Sequence, residues 1–206
     1  MEKSPLEPRV FIFDLFGVVI EFDTDIVYAR LARHCRDNKQ AFSGLHGLMA
    51  RVDLITGAVT LADIYESLVA TYGLSLGYEK FVEAWLEPSK PLAGMAQLIE
   101  QLSRRYKLLL LSNVDAYYWQ AIRPLHPELN YFDDLFVSCE LGLAKPDPAV
   151  FEYVARMSGV DPVHCFFIDD TIANIEAAKA IGFQTHLFTG IDAFVKDLKR
   201  RAIPVL

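Results

Sequence analysis

A parallel α/β sheet with helices on both faces is the fold this sequence predicts. Three observations carry it: short apolar runs that end on polar residues, amphipathic stretches between those runs, and glycines or prolines at the joins. Residues 10–13 (VFIF) form the first run and end at Asp14. Residues 108–111 (LLLL) end at Ser112, 135–138 precede a loop holding Gly142, 165–168 (CFFI) end at Asp169, and 185–188 make a fifth run. Their β-branched, leucine and aromatic content suits strands buried on both faces. Between them, 95–106 places Met95, Leu98, Ile99 and Leu102 on one helical face, and 148–157 does the same with Val150, Phe151, Val154 and Met157. Residues 172–181 are alanine-rich and stop at Gly182. In such sheets ligands bind beyond the carboxyl ends of the strands, where these polar residues lie.

Residues 23–87 break the alternation and read as consecutive helices over 24–35, 38–51, 60–72 and 78–85, punctuated by Gly57, Gly73 and Gly77. Thr60 followed by Asp63 reads as an N-cap with an acidic first turn. Pro88 and Pro91 mark the return to the main body. The expected organisation is an α/β core from 1–20 and 88–206, with a helical cap inserted as 21–87.

A chain of 206 residues, 52% hydrophobic, can bury a sizeable core. Its net charge of −7 argues against a nucleic-acid surface. It does not exclude a small anion held by a local cation. The start of the chain lacks a signal peptide's apolar stretch, and no run approaches the ~20 apolar residues of a membrane span. The expectation is a cytoplasmic protein, monomer or homodimer, with no nucleic-acid or membrane partner. Cys35, Cys139 and Cys165 match no metal spacing and read as reduced thiols.

The chemistry lies at the strand ends. Asp14, in FDLFGVV, is a carboxylate after a buried strand; it either caps a turn or is held by a cation or hydrogen bonds. Gly17 suits a tight turn presenting backbone N–H groups to an anion. Ser112 and Asn113 offer a hydroxyl and amides to a phosphate, or else cap the following helix. Lys145, in GLAKPDPAVF, is held near a helix entry by Pro146 and Pro148, where a cation opposes the helix dipole; neutralising crowded anions explains it better than a structural role. Asp169 and Asp170 follow an apolar strand; adjacent carboxylates repel unless a divalent cation compensates them, and hard oxygen ligands suit Mg²⁺. Capping the next helix is the alternative, although one Asp would suffice.

These four pieces, in order and over nearly the whole chain, resemble the motifs of the haloacid dehalogenase superfamily, whose fold is Rossmann-like. FDLFGVV, SNVD, LAKPDPAVF and FIDDTIANIEAAKAIG look closest to its bacterial sugar-phosphate phosphatases. The resemblance implies hydrolysis of a small phosphate ester. Asp14 would be the nucleophile, and Asp14, the Phe16 carbonyl, Asp170 and nearby Asp169 would hold Mg²⁺. Ser112, the Asn113 amide and Lys145 would hold the phosphoryl oxygens. Family phosphatases carry a second Asp two positions after the nucleophile, acting as general acid and base; here that residue is Phe16. A proton could then come from Glu21, Asp23 or Asp115, or the leaving group could be a good one. An aromatic at this position also resembles the 2-haloacid dehalogenases, with Arg30 or Arg33 as a cap arginine, but their fourth motif lacks the paired Asp. A non-catalytic binding protein is the third reading. Phe22, Tyr28, His46 and Arg51 are candidate cap residues for the substrate, while Tyr117, Tyr118 and Trp119 read as helix packing more than pocket wall.

Overall fold

The run Val10–Phe13 is buried at every position and forms the central strand, β1, of a five-stranded sheet. The computed structural model describes residues 7–49, 51–86 and 89–205. In chain order its elements are β1, β2 (Ile20–Glu21), α1 (Thr24–Ala32), α2 (Asn38–Met49), α3 (Val52–Ile55), α4 (Leu61–Tyr72), α5 (Tyr78–Trp85) and β3 (Lys90–Pro91). There follow α6 (Met95–Ser103), β4 (Lys107–Ser112), α7 (Ala116–Ile122), β5 (Asp134–Val137), α8 (Ser138–Leu141) and α9 (Pro148–Ser158). The chain ends with β6 (Cys165–Asp169), α10 (Ile172–Ile181), β7 (Gln184–Leu187) and α11 (Ile191–Arg200).

The sheet order is β5-β4-β1-β6-β7, every pairing parallel. Side chains alternate between two cores. Phe11, Phe13, Leu108, Leu110, Phe166 and Ile168 face one side, packed against α6, α11 and helices of the inserted block. Val10, Ile12, Leu109, Leu111, Cys165 and Phe167 face the other, packed against α9 and α10. Both faces being covered explains why the strands read as continuous apolar runs.

The chain leaves for the helical block α1–α5 through β2 and returns through β3, and these two strands pair antiparallel, Ile20 opposite Pro91. Pro91 thus sits where the sequence places the return, while Pro88 lies outside the described residues. Thr60 and Asp63 make a reciprocal capping box at the start of α4. Two helices end earlier than their apolar patterns, α1 at Ala32 and α6 at Ser103, and Arg51 likewise lies outside α2. Ser138 starts α8 and does not end β5; its hydroxyl hydrogen-bonds the Ile55 carbonyl, joining the block to the core. No helix among the described residues is long and apolar enough to cross a membrane.

The last helix is fastened by Asp197, which accepts from His186 (3.0 Å), Arg201 (3.1 Å) and Arg200. Burial alone would raise its carboxyl, but the two arginines and the histidine outweigh that and hold it below the usual range. Such a group stabilises the fold above its unfolded value, about 3.9, and the stabilisation fades as pH falls through the folded value. Asp197→Asn is therefore expected to cost on the order of 2 kcal/mol at pH 7. The difference from wild type should shrink below about pH 4, as read by urea unfolding across pH.

Candidate active site

Register brings the acidic groups together. Phe13 lies beside Leu110 of β4 and Ile168 of β6. One residue on, Asp14 and Asp169 stand side by side at the carboxyl ends of adjacent strands, and the Asp14 N–H bonds the Ile168 carbonyl (2.9 Å). By strand alternation both belong to the face covered by α9 and α10. There the loop before α9 delivers Lys145, whose Nζ is 2.7 Å from Asp14 Oδ1 and 2.7 Å from Asp169 Oδ2. All three are buried.

That loop is clasped by Asn113, whose Oδ1 accepts from the Lys145 N–H (2.9 Å) and whose Nδ2 donates to the Lys145 carbonyl (2.8 Å). Asp169 is secured from its other side: Asn174 Nδ2 donates to both oxygens (3.0 Å each) and the Thr171 N–H to Oδ1 (2.8 Å). Asp14 Oδ1 also accepts from the Leu15 N–H (2.7 Å). Two buried carboxylates thus share one ammonium in a fixed frame.

Asp170 takes the opposite orientation and is exposed. Its carboxylate lies over Gly17, where a Cβ would come within 2.2 Å of Oδ2. Gly17 has φ +78° and its N–H bonds the Ile20 carbonyl (2.9 Å). That corrects the expectation that this amide faces an anion; Gly17 instead makes room for Asp170. Oxygens of Asp14, Asp169 and Asp170 lie within 4.8 Å of one another. With Lys145 as the cation among them, the cluster carries net negative charge. Burial pushes the Asp14 carboxyl up to about 7, against the pull of Lys145, and burial with the Asp169 charge raises Asp170. Excess negative charge on clustered hard oxygen donors fits a divalent ion such as Mg²⁺. Ser112 Oγ, fully buried at the end of β4, has no hydrogen-bond partner among the described residues. It leaves an unengaged hydroxyl at the end of the strand next to β1.

Other expectations resolve as follows. Neither Ser112 nor Asn113 caps α7; Asp115 does, accepting from the Tyr118 N–H (2.9 Å). The Phe16 ring packs on Phe22 and Tyr118, with centroids 5.1 and 5.8 Å away. A cavity of ≈ 390 Å³ lies between these rings and the helical block, and Phe22, Tyr28 and His46 line it. Arg51, Arg30 and Arg33 do not; Arg51 is engaged by Asp53 (2.9 Å). Among the three aromatics after Asn113, Tyr118 both packs and lines the cavity, Trp119 is buried and Tyr117 is exposed. Of the candidate acids only Asp115 borders the cavity; Glu21 pairs with Lys90 (2.9 Å) and Asp23 caps α1. Burial raises all three cysteine thiols, opposite to what a thiolate nucleophile requires. Sequence reasoning missed Asn174, the Asn113 clasp and Trp85; only Asn174, one turn into the helix after the paired Asp, had a readable position.

A sheet whose strand ends gather a carboxylate, a lysine and paired aspartates defines a class of hydrolase. Residues 8–182 match the family model described as haloacid dehalogenase-like hydrolase, and the chain belongs to that family. It is 29% identical over 182 residues to a D-ribitol-5-phosphate phosphatase of Bacteroides thetaiotaomicron, covering 84% of this chain and 88% of the relative. It is 26% identical to a phosphoglycolate phosphatase of Pseudomonas putida, covering 86% and 68% respectively. Its fold is similar, at TM-score 0.74 and 23% identity over 89% of this chain and 95% of the other, to a HAD family enzyme from Bacteroides thetaiotaomicron crystallised with magnesium and inorganic phosphate.

Gly17→Ala tests the approach of Asp170 to the cluster. The added methyl must displace the carboxylate at a backbone angle that disfavours alanine. Mg²⁺ affinity, measured by titration calorimetry, is expected to fall about 10- to 100-fold, the usual scale for disturbing a ligand's support, while the circular dichroism spectrum is unchanged.

Proposed function

We propose that this chain is a Mg²⁺-dependent phosphate monoesterase working through an aspartyl-phosphate on Asp14. The observation that carries the reading is the buried Asp14–Lys145–Asp169 frame with Asp170 beside it, all at the carboxyl ends of the central strands. Asp14 is the nucleophile, through Oδ2, since Lys145 and the Leu15 N–H both engage Oδ1. The Asp14–phosphorus bond forms as the bond to the ester oxygen breaks; water then attacks phosphorus, returning the carboxylate and releasing inorganic phosphate. Lys145, Ser112 and the Asn113 amide hold the phosphoryl oxygens while charge shifts among them.

Asp14, Asp170 and the Phe16 carbonyl are the ligands for Mg²⁺, which when bound neutralises the charge of the phosphoryl group. Asp169 is the supporting carboxylate, because both its oxygens are engaged by Lys145 and Asn174. Residues 21–87 act as a cap over a core formed by 1–20 and 88–206, with the cavity beneath α1–α3 receiving the alcohol part of the substrate. Similarity to a D-ribitol-5-phosphate phosphatase makes sugar phosphates one class to assay.

Phe16 is the observation that favours a dehalogenase, but among the described residues neither Arg nor Lys lines the cavity to receive a haloacid carboxylate. Purified protein given p-nitrophenyl phosphate is expected to release phosphate with Mg²⁺ and to stop with EDTA. Asp14→Asn should lower kcat at least about 10³-fold, in keeping with loss of a nucleophile. Halide release from 2-chloropropionate that ignores EDTA would instead make it a dehalogenase, and silence on both substrates a binding protein.

A further inference from the structure

The alcohol end of the substrate is written in two independent features, and its reading rests on the phosphatase proposal above. The first is Phe16. No carboxyl stands at this position to protonate a departing alkoxide, and such acids contribute roughly 10²–10⁴-fold. An aliphatic alcohol is about as weak an acid as water and needs that proton. A phenol, with a pKa of about 10 as in tyrosine, departs as phenolate far more readily.

The second feature is the cavity, which shares Phe16 and Asn113 with the loops of the site. Its walls are mainly rings and aliphatic chains, with Phe16, Phe22 and Tyr118 mutually packed at 5.1–5.8 Å and Trp85 also in the lining. Several of its polar groups already have partners. Asp115 accepts from Trp85 Nε1 (3.3 Å) and the Tyr118 N–H (2.9 Å). The Asn113 side chain holds the Lys145 backbone, and His46 lies 3.4 Å from Asp25. A polyol entering here surrenders the hydration of several hydroxyls and finds few unengaged groups in return, a loss of about 1–3 kcal/mol for each one left unpaired. An aromatic ring surrenders nothing and gains offset or edge contacts. Asp115, with no lysine or arginine in the lining among the described residues, turns away an anionic substituent.

We propose that the substrate is the phosphate monoester of an uncharged aromatic hydroxyl compound, its ring seated among Phe16, Phe22 and Tyr118. At ≈ 390 Å³ the cavity suits one or two fused rings. In the reaction the bond from Asp14 to phosphorus forms while the phosphorus–aryl oxygen bond breaks. The electron pair leaves on the phenolate, which takes its proton from water. Phe16 is then a specificity residue, and its missing acid is matched to a leaving group that does not need one.

The test compares kcat/KM of the Mg²⁺-loaded protein on phenyl and 2-naphthyl phosphate with that on D-ribitol 5-phosphate and glycerol 3-phosphate. The aryl esters are expected to lead by about 100-fold or more, the scale of the acid the alkyl esters lack. Phe16→Asp is expected to raise kcat/KM on the alkyl esters and to raise aryl KM, so that the aryl lead narrows. Equal efficiency on both classes, a uniform gain from Phe16→Asp, or alkyl turnover as fast as aryl that Asp115→Asn abolishes would each overturn the proposal. If neither class turns over, the phosphatase reading fails, and the ring site is judged by binding alone. In a Trp119→Phe background, phenol should then quench Trp85 fluorescence saturably, more weakly in Phe22→Ala, whereas ribitol should not; no response to phenol refutes the ring site.

Discussion

The site depends on one buried ammonium. Lys145 lies 2.7 Å from both Asp14 and Asp169, with its side chain 1% exposed. Taking these charges out of water costs several kcal/mol apiece, which their attraction repays only when geometry is tight and the remaining lone pairs are bonded. Asn174, Thr171 and Leu15 provide those bonds, while Asn113 fixes the backbone of Lys145. The arrangement still leaves more negative than positive charge, which a bound cation would offset. Removing Lys145 would strand two carboxylates in low dielectric.

The sheet makes this possible by alternation. Asp14 and Asp169 follow strand positions whose side chains face α9 and α10, so they turn toward the loop carrying Lys145. Asp170, one residue later, turns the other way, over Gly17 and toward the helical block. A two-residue period therefore separates the buried supporting carboxylate from the exposed one without any special loop. The antiparallel β2–β3 pair gathers the chain's exit to the block and its return into one ribbon, and Ser138 ties α3 back to the end of β5.

Much of this was legible because the signals are local. Continuous apolar runs mark buried parallel strands, and a polar residue at the end of each marks the site. Tyr78–Trp85 and Ile172–Ile181 have their predicted bounds, each bordered by a glycine that punctuates the pattern. α1 and α6 stop short because apolar spacing continues past the last helical turn into residues that still face the core, such as Cys35 and Tyr106. The C-terminal helix α11, with Ile191, Phe194, Val195 and Leu198 at helical spacing, is not among the predicted elements. What could not be read were contacts between distant segments: Asn113 with Lys145, Trp85 with Asp115, and Asp170 with Gly17. Each depends on tertiary placement, and a glycine predicts a turn long before it predicts which side chain the turn admits.

The most direct measurement is the anomalous signal from a crystal soaked in Mn²⁺, a stand-in for Mg²⁺ with the same taste for oxygen ligands. The predicted result is a single strong peak bonded to carboxylate oxygens of Asp14 and Asp170, with Lys145 still bridging Asp14 and Asp169. No peak there, or one bound elsewhere while the carboxylates stay as they are, would contradict the view that these acids are crowded together to hold a divalent ion.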